Sequence, residues 1–191
     1  MSVFSQKIII ITAPSGAGKT SITKYLLHKF PQLSFSVSAT TRKARNNEKD
    51  GLDYYFISPE DFQNKIAQNG FIEWEMVYEG KYYGTLKSEM ERIWNNNQIP
   101  VLDIDVKGAI HVQQQFKEEV LSIFIEPPSE EALKKRLENR GTETTENIAT
   151  RLNKAAYEIS FKNYFNKIIV NDVLDKACAE AEKTVADFLE K

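Results

Sequence analysis

Residues 8–21 read IIIITAPSGAGKTS, and this stretch decides the fold. Its first five residues are four isoleucines and a threonine without a break, a pattern typical of a strand buried on both faces of a parallel sheet. A turn with two glycines and a proline follows over residues 13–19, and a helical pattern begins at Thr20. A strand, a glycine-rich loop and a helix in this order predict a loop that binds phosphate.

The residue types in this loop suit an anion. Gly16 and Gly18 allow backbone conformations and close approaches that a side chain would block, so successive N–H groups can point at a phosphate. The start of the helix adds free amides and the positive end of its dipole. Lys19 would then reach the β- and γ-phosphates of a nucleotide, and the Thr20 hydroxyl would help to hold Mg²⁺. The motif G-x-x-x-x-G-K-[ST] has Ala13 at its first position, and an ordinary strand–turn–helix with a surface lysine is the alternative.

Composition narrows the class of protein. The 191 residues suit one domain, and a net charge of −2 gives no basic character that would favour nucleic acid. The single cysteine, Cys178, excludes an internal disulfide and fits a reducing compartment. The first residues, MSVFSQK, lack the features of a signal peptide, and no apolar run approaches the ~20 residues of a membrane span. We therefore expect a cytoplasmic protein that binds neither nucleic acid nor membrane.

Further apolar runs alternate with helical patterns along the chain. Short strands are predicted at residues 35–38, 99–103, 121–125 and 167–170. Strands that alternate with helices predict a doubly wound parallel sheet with right-handed crossovers. A last helix, over residues 174–190, is expected to bury an apolar face formed by Leu174, Ala177, Cys178, Ala181, Val185 and Leu189.

Residues 35–85 form a small insertion that is mostly β in pattern. Strands within it are predicted at residues 54–56, 71–77 and 82–85. A helix begins after Ser58, and Thr85 is expected to cap the helix that follows the last strand. The insertion is rich in tyrosine and acidic residues, a composition suited to gripping an aromatic base.

The loop predicted at residues 39–53 carries basic side chains. Arg42 and Arg45 lie three residues apart in a segment with almost no apolar content. They either form an anion clamp, since arginine holds phosphate in a two-pronged fork, or lie in solvent. The predicted phosphate loop favours the clamp.

The strand predicted at residues 99–103 ends in an aspartate, Asp103, and a second aspartate, Asp105, comes two residues later. Ligands bind beyond the carboxyl ends of strands in open parallel sheets. These carboxylates are therefore candidates to hold Mg²⁺ or its waters, or to accept hydrogen bonds. The alternative is a turn and a helix cap before Val106.

Three arginines lie on the helices predicted on either side of Gly141. Arg136 and Arg140 stand four residues apart, where like charges repel by roughly a few tenths of a kcal/mol unless an anion lies between them. Together with Arg151 they indicate either a helical lid that closes on phosphates or a solvated hairpin whose charges are balanced by glutamates.

The chain resembles the guanylate kinase family, whose members transfer phosphate from ATP to GMP. The resemblance covers essentially the whole chain and rests on the stretches PSGAGKTS, FSVSATTRKAR, GLDYYF, FIEWEMV, YYGT, VLDIDVKGA, PPSEEALKKRLENRGTET and IVNDVLDKA. It implies a P-loop three-layer α/β fold with a parallel-sheet core, a small mostly β GMP-binding insertion and a helical lid. As one domain over residues 1–191, the chain would divide into a core (1–33, 86–126 and 160–191), a GMP-binding region (34–85) and a lid (127–159).

The resemblance also implies two nucleotide sites and a set of catalytic cations. The ATP site would comprise Ala13, Pro14, Ser15, Gly16, Ala17, Gly18, Lys19, Thr20, Ser21 and, near adenine, Asn171. The GMP site would comprise Ser38, Arg42, Arg45, Tyr54, Glu73, Tyr83, Thr85 and Asp105, of which Ser38, Glu73 and Asp105 would read guanine. The catalytic residues would be Lys19, Arg42, Arg136, Arg140 and Arg151. The Mg²⁺ bound with ATP would be held by Thr20 and, through water, by Asp103.

Departures from the family's pattern are small. Ala13 replaces a glycine before Pro-Ser-Gly, and Thr20 and Ser21 reverse the common order while keeping both hydroxyls. The segment from Arg42 to Arg45 lacks the proline that the family often has. The implied activity is transfer of the γ-phosphoryl group of Mg·ATP to GMP, and to dGMP, within purine nucleotide metabolism.

Two other functions stay open. One is a non-catalytic domain of the same family that binds a protein partner; such domains usually have a degraded phosphate loop, whereas this chain keeps Lys19. The other is a P-loop kinase that acts on a different base, against which the pairing of Glu73 with Asp105 argues. The sequence leaves a homodimer open.

Overall fold

The computed structural model describes residues 6–45, 47–139 and 145–190 of the chain. The strands in these ranges are β1 (Ile8–Thr12), β2 (Leu33–Phe35), β3 (Ala39–Thr40), β4 (Tyr55–Phe56), β5 (Phe71–Tyr78), β6 (Lys81–Leu86), β7 (Ile99–Asp103), β8 (Val120–Glu126) and β9 (Lys167–Val170). The α-helices in them are α1 (Lys19–Lys29), α2 (Pro59–Ala67), α3 (Lys87–Asn95), α4 (Val106–Phe116), α5 (Glu130–Glu138), α6 (Thr145–Ile159) and α7 (Leu174–Leu189).

The larger sheet is parallel and forms the middle of three layers. Its strand order is β2-β7-β1-β8-β9. The central strand β1 is buried over its whole length, as its run of isoleucines predicts. Ile9 and Ile11 pack with α1 and α7 on one face, and Ile8 and Ile10 pack with α3 and α4 on the other. The predicted doubly wound α/β fold is confirmed.

The insertion forms a second sheet with its own small core. Its strand order is β4-β3-β6-β5, in which β3 pairs parallel with β4 and the other pairs are antiparallel. Phe62 of α2 is fully buried and stacks on Phe71, with the two ring centroids 4.4 Å apart. Ser58 caps α2 as predicted, because its hydroxyl oxygen accepts a hydrogen bond from the Asp61 N–H at 3.0 Å.

The structure corrects the predicted boundary between the two sheets. The strand predicted at residues 35–38 is β2, which begins and ends earlier, and residues 39–40, predicted as loop, form β3. The earlier start of β2 follows from Leu33, whose side chain is buried in the core. Beyond the strand, the Ser36 N–H still donates to the Val101 carbonyl of β7 at 3.0 Å, and the Val37 N–H, on the free edge of the sheet, donates to Glu89 Oε1 at 3.1 Å.

Two further predictions about side chains are wrong. Thr85 does not cap α3, since β6 continues past it and its hydroxyl donates to Glu73 inside the second sheet. Leu174 does not belong to the inner face of α7: it is 43% exposed in the first turn, whereas Phe188 near the end of the helix is buried. Cys178 is buried among apolar side chains, as predicted.

Helices α5 and α6 pack against each other. Leu133 and Leu137 of α5 form a small apolar cluster with Ile148 and Ala155 of α6. The helix end predicted at Gly141 and most of the turn after it lie outside the described residues. Among the helices that the structure describes, none is both long and apolar enough to span a membrane.

Candidate active site

A cavity of about 540 Å³ lies at the carboxyl end of β1 and β7, between the second sheet and α6. It brings most of the predicted site residues together. Those in its wall are Ala13, Pro14, Ser15, Gly16, Gly18, Lys19, Thr20, Ser21, Ser38, Arg42, Arg45, Tyr54, Glu73, Tyr83, Asp103, Asp105 and Arg151. Four other predicted residues, Ala17, Thr85, Arg136 and Asn171, lie outside this wall.

The loop after β1 has the backbone that the sequence predicts. Gly16 and Gly18 adopt φ values of +95° and +99°, the left-handed region that favours glycine. Gly18 caps α1, and a Cβ atom there would overlap the side-chain amide nitrogen of Asn171. That amide donates to the Ala17 carbonyl at 2.7 Å and so supports the loop from outside the cavity. Asn171, expected near adenine, therefore also holds the phosphate loop in place.

Lys19 begins α1 and forms an ion pair with Asp103 at the end of β7. Burial lowers the pKa of Lys19, but the adjacent Asp103 carboxylate outweighs this effect, and the net pKa is raised above its ordinary value. The ammonium group is therefore charged at neutral pH. A nucleotide phosphate on the loop would compete with Asp103 for it.

Arg42 is held in a fork by a carboxylate that the sequence analysis missed. Its Nη1 and Nη2 atoms donate to the two carboxylate oxygens of Glu48 at 2.6 and 2.7 Å, and its guanidinium carbon lies 4.8 Å from the Tyr54 ring centroid. The Arg45 N–H donates to the same carboxylate at 2.8 Å, while the Arg45 side chain is exposed. The hydrogen bonds from Arg42 lower the pKa of Glu48 to about 2. Glu48 thus occupies the fork in the way that a phosphate would.

Glu73 is a buried carboxylate at the back of the cavity, 6% exposed. It accepts a hydrogen bond from the Thr85 hydroxyl at 2.6 Å, and a Cβ atom on Gly108 would lie 2.6 Å from its Oε2 atom. Burial raises the pKa of Glu73 to about 7; the Thr85 hydrogen bond opposes the rise and the nearby Asp105 adds to it.

Asp105 caps α4, because its Oδ1 atom accepts a hydrogen bond from the Gly108 N–H at 2.9 Å. The helix-cap alternative is therefore confirmed. Asp105 also lines the cavity, so capping and ligand binding are compatible.

The raised pKa of Glu73 predicts a pH-dependent stability. The folded chain holds this proton more tightly than the unfolded chain, so the contribution of Glu73 to the free energy of unfolding falls as pH rises from about 4.5 to about 7. The rise in pKa corresponds to on the order of 3 kcal/mol. Glu73→Gln should therefore stabilise the ligand-free protein by on the order of 2 kcal/mol more at pH 8 than at pH 5, as measured by urea denaturation.

The same change at Glu75, two residues along β5, is the control for this experiment. Glu75 is more exposed than Glu73 and lines the same cavity. Equal effects of the two substitutions at both pH values would contradict the assignment of the raised pKa to the buried site of Glu73.

The predicted lid arginines are placed differently from one another. Arg151 of α6 reaches the phosphate loop, where its Nη1 atom donates to Ser15 Oγ at 2.6 Å. Arg136 of α5 donates to the backbone carbonyl of Asn171 at 2.7 Å, away from the cavity wall. Arg140 lies outside the described residues.

Helix α6 also contributes charged residues to the cavity that the sequence analysis missed. Lys154 and Glu158 line its wall, and Glu158 is 8% exposed. Burial raises the pKa of Glu158, although Lys154 and Lys19 oppose this. Lys154 and Glu158 lie four residues apart on α6. Sequence alone does not tell whether such a charged pair faces solvent or a ligand cavity.

The fold and this site define a class of protein. A parallel sheet whose first strand leads through a glycine-rich loop to Lys19, with Arg42 and Arg151 in the same cavity, defines a P-loop protein that binds nucleotide phosphates.

The chain belongs to the guanylate kinase family, whose sequence profile matches residues 5–189. It is 46% identical over 183 residues to the guanylate kinase of Bacteroides fragilis, which covers 96% of this chain and 90% of that protein. It is 46% identical over 185 residues to that of Chlorobium chlorochromatii, which covers 97% of each chain. The crystal structure of guanylate kinase from Anaplasma phagocytophilum is 30% identical, with a TM-score of 0.75 over 97% of this chain and 87% of that one. A gluconokinase from Sinorhizobium meliloti, 13% identical with a TM-score of 0.52 over 97% of this chain and 94% of its own, shares the fold.

Proposed function

We infer that this chain transfers the γ-phosphoryl group of ATP to GMP and releases ADP and GDP. Its membership of the guanylate kinase family supports this function. The observation that carries it is that one cavity contains Lys19 on the phosphate loop, the Arg42 clamp and the buried carboxylate of Glu73. A donor nucleotide on the loop and an acceptor nucleotide on the second sheet would face each other across this cavity.

At the acceptor site, we propose that Glu73, Asp105 and Ser38 bind the guanine base. Carboxylates accept hydrogen bonds from the N1–H and 2-amino groups of guanine. Adenine has no donors at these positions and would leave the buried carboxylate unpaired, which is a strong basis for rejection. Thr85 lies outside the cavity wall and would act by holding Glu73.

The GMP phosphate would bind near Arg42, Arg45, Tyr54 and Tyr83, which line one part of the cavity. Arg42 stacks over Tyr54, and the Tyr54 and Tyr83 rings meet edge to face with centroids 5.9 Å apart. A phosphate there would replace the Glu48 carboxylate in the Arg42 fork, which matches the bidentate geometry that arginine offers to both groups.

At the donor site, the backbone N–H groups around Gly16 and Gly18 and the Lys19 ammonium would hold the ATP phosphates. Asn171 Oδ1 is buried and has no hydrogen-bond partner among the described residues. A donor such as the amino group of adenine would satisfy this oxygen. We therefore propose that the adenine lies against Asn171.

Mg²⁺ fits the donor site. Thr20 and Asp103 lie in the cavity wall beside Lys19, and hydroxyl and carboxylate oxygens are ligands that this ion accepts. No group of three or more His, Cys, Asp or Glu side chains in the described ranges could hold a metal by itself. We therefore propose that Thr20, and Asp103 through water, would share the ion with the ATP phosphates. When bound, Mg²⁺ supplies charge neutralisation on the β- and γ-phosphates.

The reaction needs little covalent help from the protein. A phosphate oxygen of GMP attacks the γ-phosphorus of ATP in line, and the bond to the β-phosphate oxygen breaks to release ADP. A phosphate monoester has a second pKa of about 6 and is already ionised near neutral pH, so no general base is required. Catalysis therefore consists of positioning and of charge neutralisation by Lys19, Arg42 and Arg151.

We propose that residues 127–159 act as a lid over a GMP-binding region at residues 34–85. Arg136 Nη1 is buried and unpaired among the described residues, and its Nη2 atom holds the Asn171 carbonyl. Arg136 would have to leave this carbonyl to reach a transferring phosphoryl group. Closure that depends on both nucleotides would keep water from accepting the phosphoryl group.

We further propose that the reaction belongs to purine nucleotide metabolism in the cytoplasm. The test of the function is product analysis: the purified chain is incubated with Mg²⁺, ATP and GMP, and the nucleotides are separated by ion-exchange chromatography. ADP and GDP are expected to accumulate in equal amounts. ADP without GDP would indicate an ATPase and would contradict the proposed function.

A further inference from the structure

A third buried carboxylate, Glu89, lies where the insertion joins the core. The chain leaves the larger sheet after β2 through residues 36–38 and returns from β6 directly into α3. Glu89 lies in the first turn of α3 and is 2% exposed. It is therefore beside the return crossing, and it does not line the cavity.

Each carboxylate oxygen of Glu89 accepts two hydrogen bonds. Oε1 accepts from the Val37 N–H at 3.1 Å and from Arg92 Nη2 at 2.9 Å. Oε2 accepts from the Tyr55 hydroxyl at 3.0 Å and from Arg92 Nε at 2.9 Å. Burial raises the pKa of Glu89, but these donors outweigh it and leave the pKa below its ordinary value. The group is thus ionised at neutral pH and fully paired.

These four bonds tie three segments of chain to one point. Val37 belongs to the outgoing crossing and directly precedes Ser38, while Tyr55 belongs to β4 in the insertion and directly follows Tyr54. The Tyr55 N–H in turn donates to the Ser38 carbonyl at 2.9 Å. Ser38 and Tyr54 both line the cavity on the side that we assign to GMP. Glu89 bonds to neither of them, but it holds the backbone N–H of the residue before Ser38 and the side-chain hydroxyl of the residue after Tyr54.

We propose that Glu89 is a positioning residue for the acceptor nucleotide, which sets the geometry of the GMP site through Val37 and Tyr55. The inference rests on the proposed function, since it assigns Ser38 and Tyr54 to GMP. Glu89 makes no bond to the phosphate loop. Its effect should therefore fall on GMP and leave ATP almost unaffected.

The test is steady-state kinetics of Glu89→Gln with each nucleotide varied in turn. Glutamine keeps the size of the side chain but has one acceptor oxygen instead of two, so at least one of the two Arg92 hydrogen bonds becomes a contact between donors, and the negative charge is lost. The KM for GMP should rise about ten-fold, with the KM for ATP within about two-fold of the unaltered chain. Glu91→Gln is the matched control, because Glu91 lies on the same helix and is exposed. It should change neither constant.

Tyr55→Phe removes one of the four hydrogen bonds to Glu89 and keeps the aromatic ring. It therefore tests the same role of Glu89 if the Glu89→Gln variant does not fold. It should raise the KM for GMP by about three-fold. In the double variant the two effects should not add, because the Tyr55 hydroxyl acts through Glu89. An unchanged KM for GMP in both single variants, or equal rises in the KM for GMP and for ATP, would overturn the role of Glu89. Absence of GMP turnover in the unaltered chain would instead overturn the proposed function, and this inference with it.

Discussion

Replacing Lys19 by methionine is expected to lower kcat by about a thousand-fold while the fold persists. The ammonium group stands at the start of α1 in the cavity wall, where ATP phosphates would bind. It would stabilise negative charge on the transferring phosphoryl group, and methionine keeps the length of the side chain without the charge. The measurement is kcat at saturating ATP and GMP, with circular dichroism as the check on folding.

The fold should tolerate this change because Asp103, the ion-pair partner of Lys19, is 26% exposed at its side chain and remains hydrated. Lys24→Met is the control, since Lys24 is an exposed lysine on the same helix and should retain full turnover. Normal turnover by a folded Lys19→Met variant would contradict the assignment of the phosphate loop.

Glu73→Gln is expected to raise the KM for GMP by about a hundred-fold, with the KM for ATP almost unchanged. The carboxylate is 6% exposed and would accept hydrogen bonds from two donors of guanine. Glutamine presents an amino group to one of them, which replaces a hydrogen bond by a contact between two donors. Glu75→Gln again provides the control on the same strand. Equal weakening of both nucleotides would refute the assignment of Glu73 to the guanine base.

The same residue predicts how the acceptor affinity depends on pH. Because the pKa of Glu73 is raised to about 7 in the free protein and guanine would bind the ionised form, the KM for GMP should rise by about ten-fold for each pH unit below 7. In the Glu73→Gln variant, the part of this pH dependence that comes from Glu73 should be absent. The part that comes from titration of the GMP phosphate should remain, so the two can be separated. A parallel pH dependence in both proteins would show that Glu73 does not bind the base in ionised form.

Sequence predicts those parts of the fold that depend on local pattern. The isoleucines of β1 alternate between the two faces of the sheet, and the glycines at positions 16 and 18 have the backbone that a phosphate loop needs. The placement of Asp103 at the end of a strand and of Asp105 just beyond it also follows from pattern, because the carboxyl ends of parallel strands meet at one edge of the sheet.

Other features depend on partners that are distant in sequence. Thr85 is adjacent to a helix and reads as a cap, but its partner is Glu73 across the sheet. Glu89 accepts a hydrogen bond from the Val37 N–H, 52 residues away in sequence. No local pattern indicates such pairings, because they arise only when the insertion packs on the core.

The most direct measurement of the central claim is the initial rate of ADP formation from Mg·ATP with GMP, AMP, CMP or UMP as acceptor and with no acceptor. If Glu73 binds the guanine base, turnover is expected with GMP alone. If closure requires both nucleotides, the rate of ADP formation without acceptor should be negligible. Turnover with another nucleotide at a comparable rate would be consistent with the fold but would contradict the assignment of Glu73 and Asp105 to guanine. Binding of GMP without any turnover would contradict the kinase activity itself.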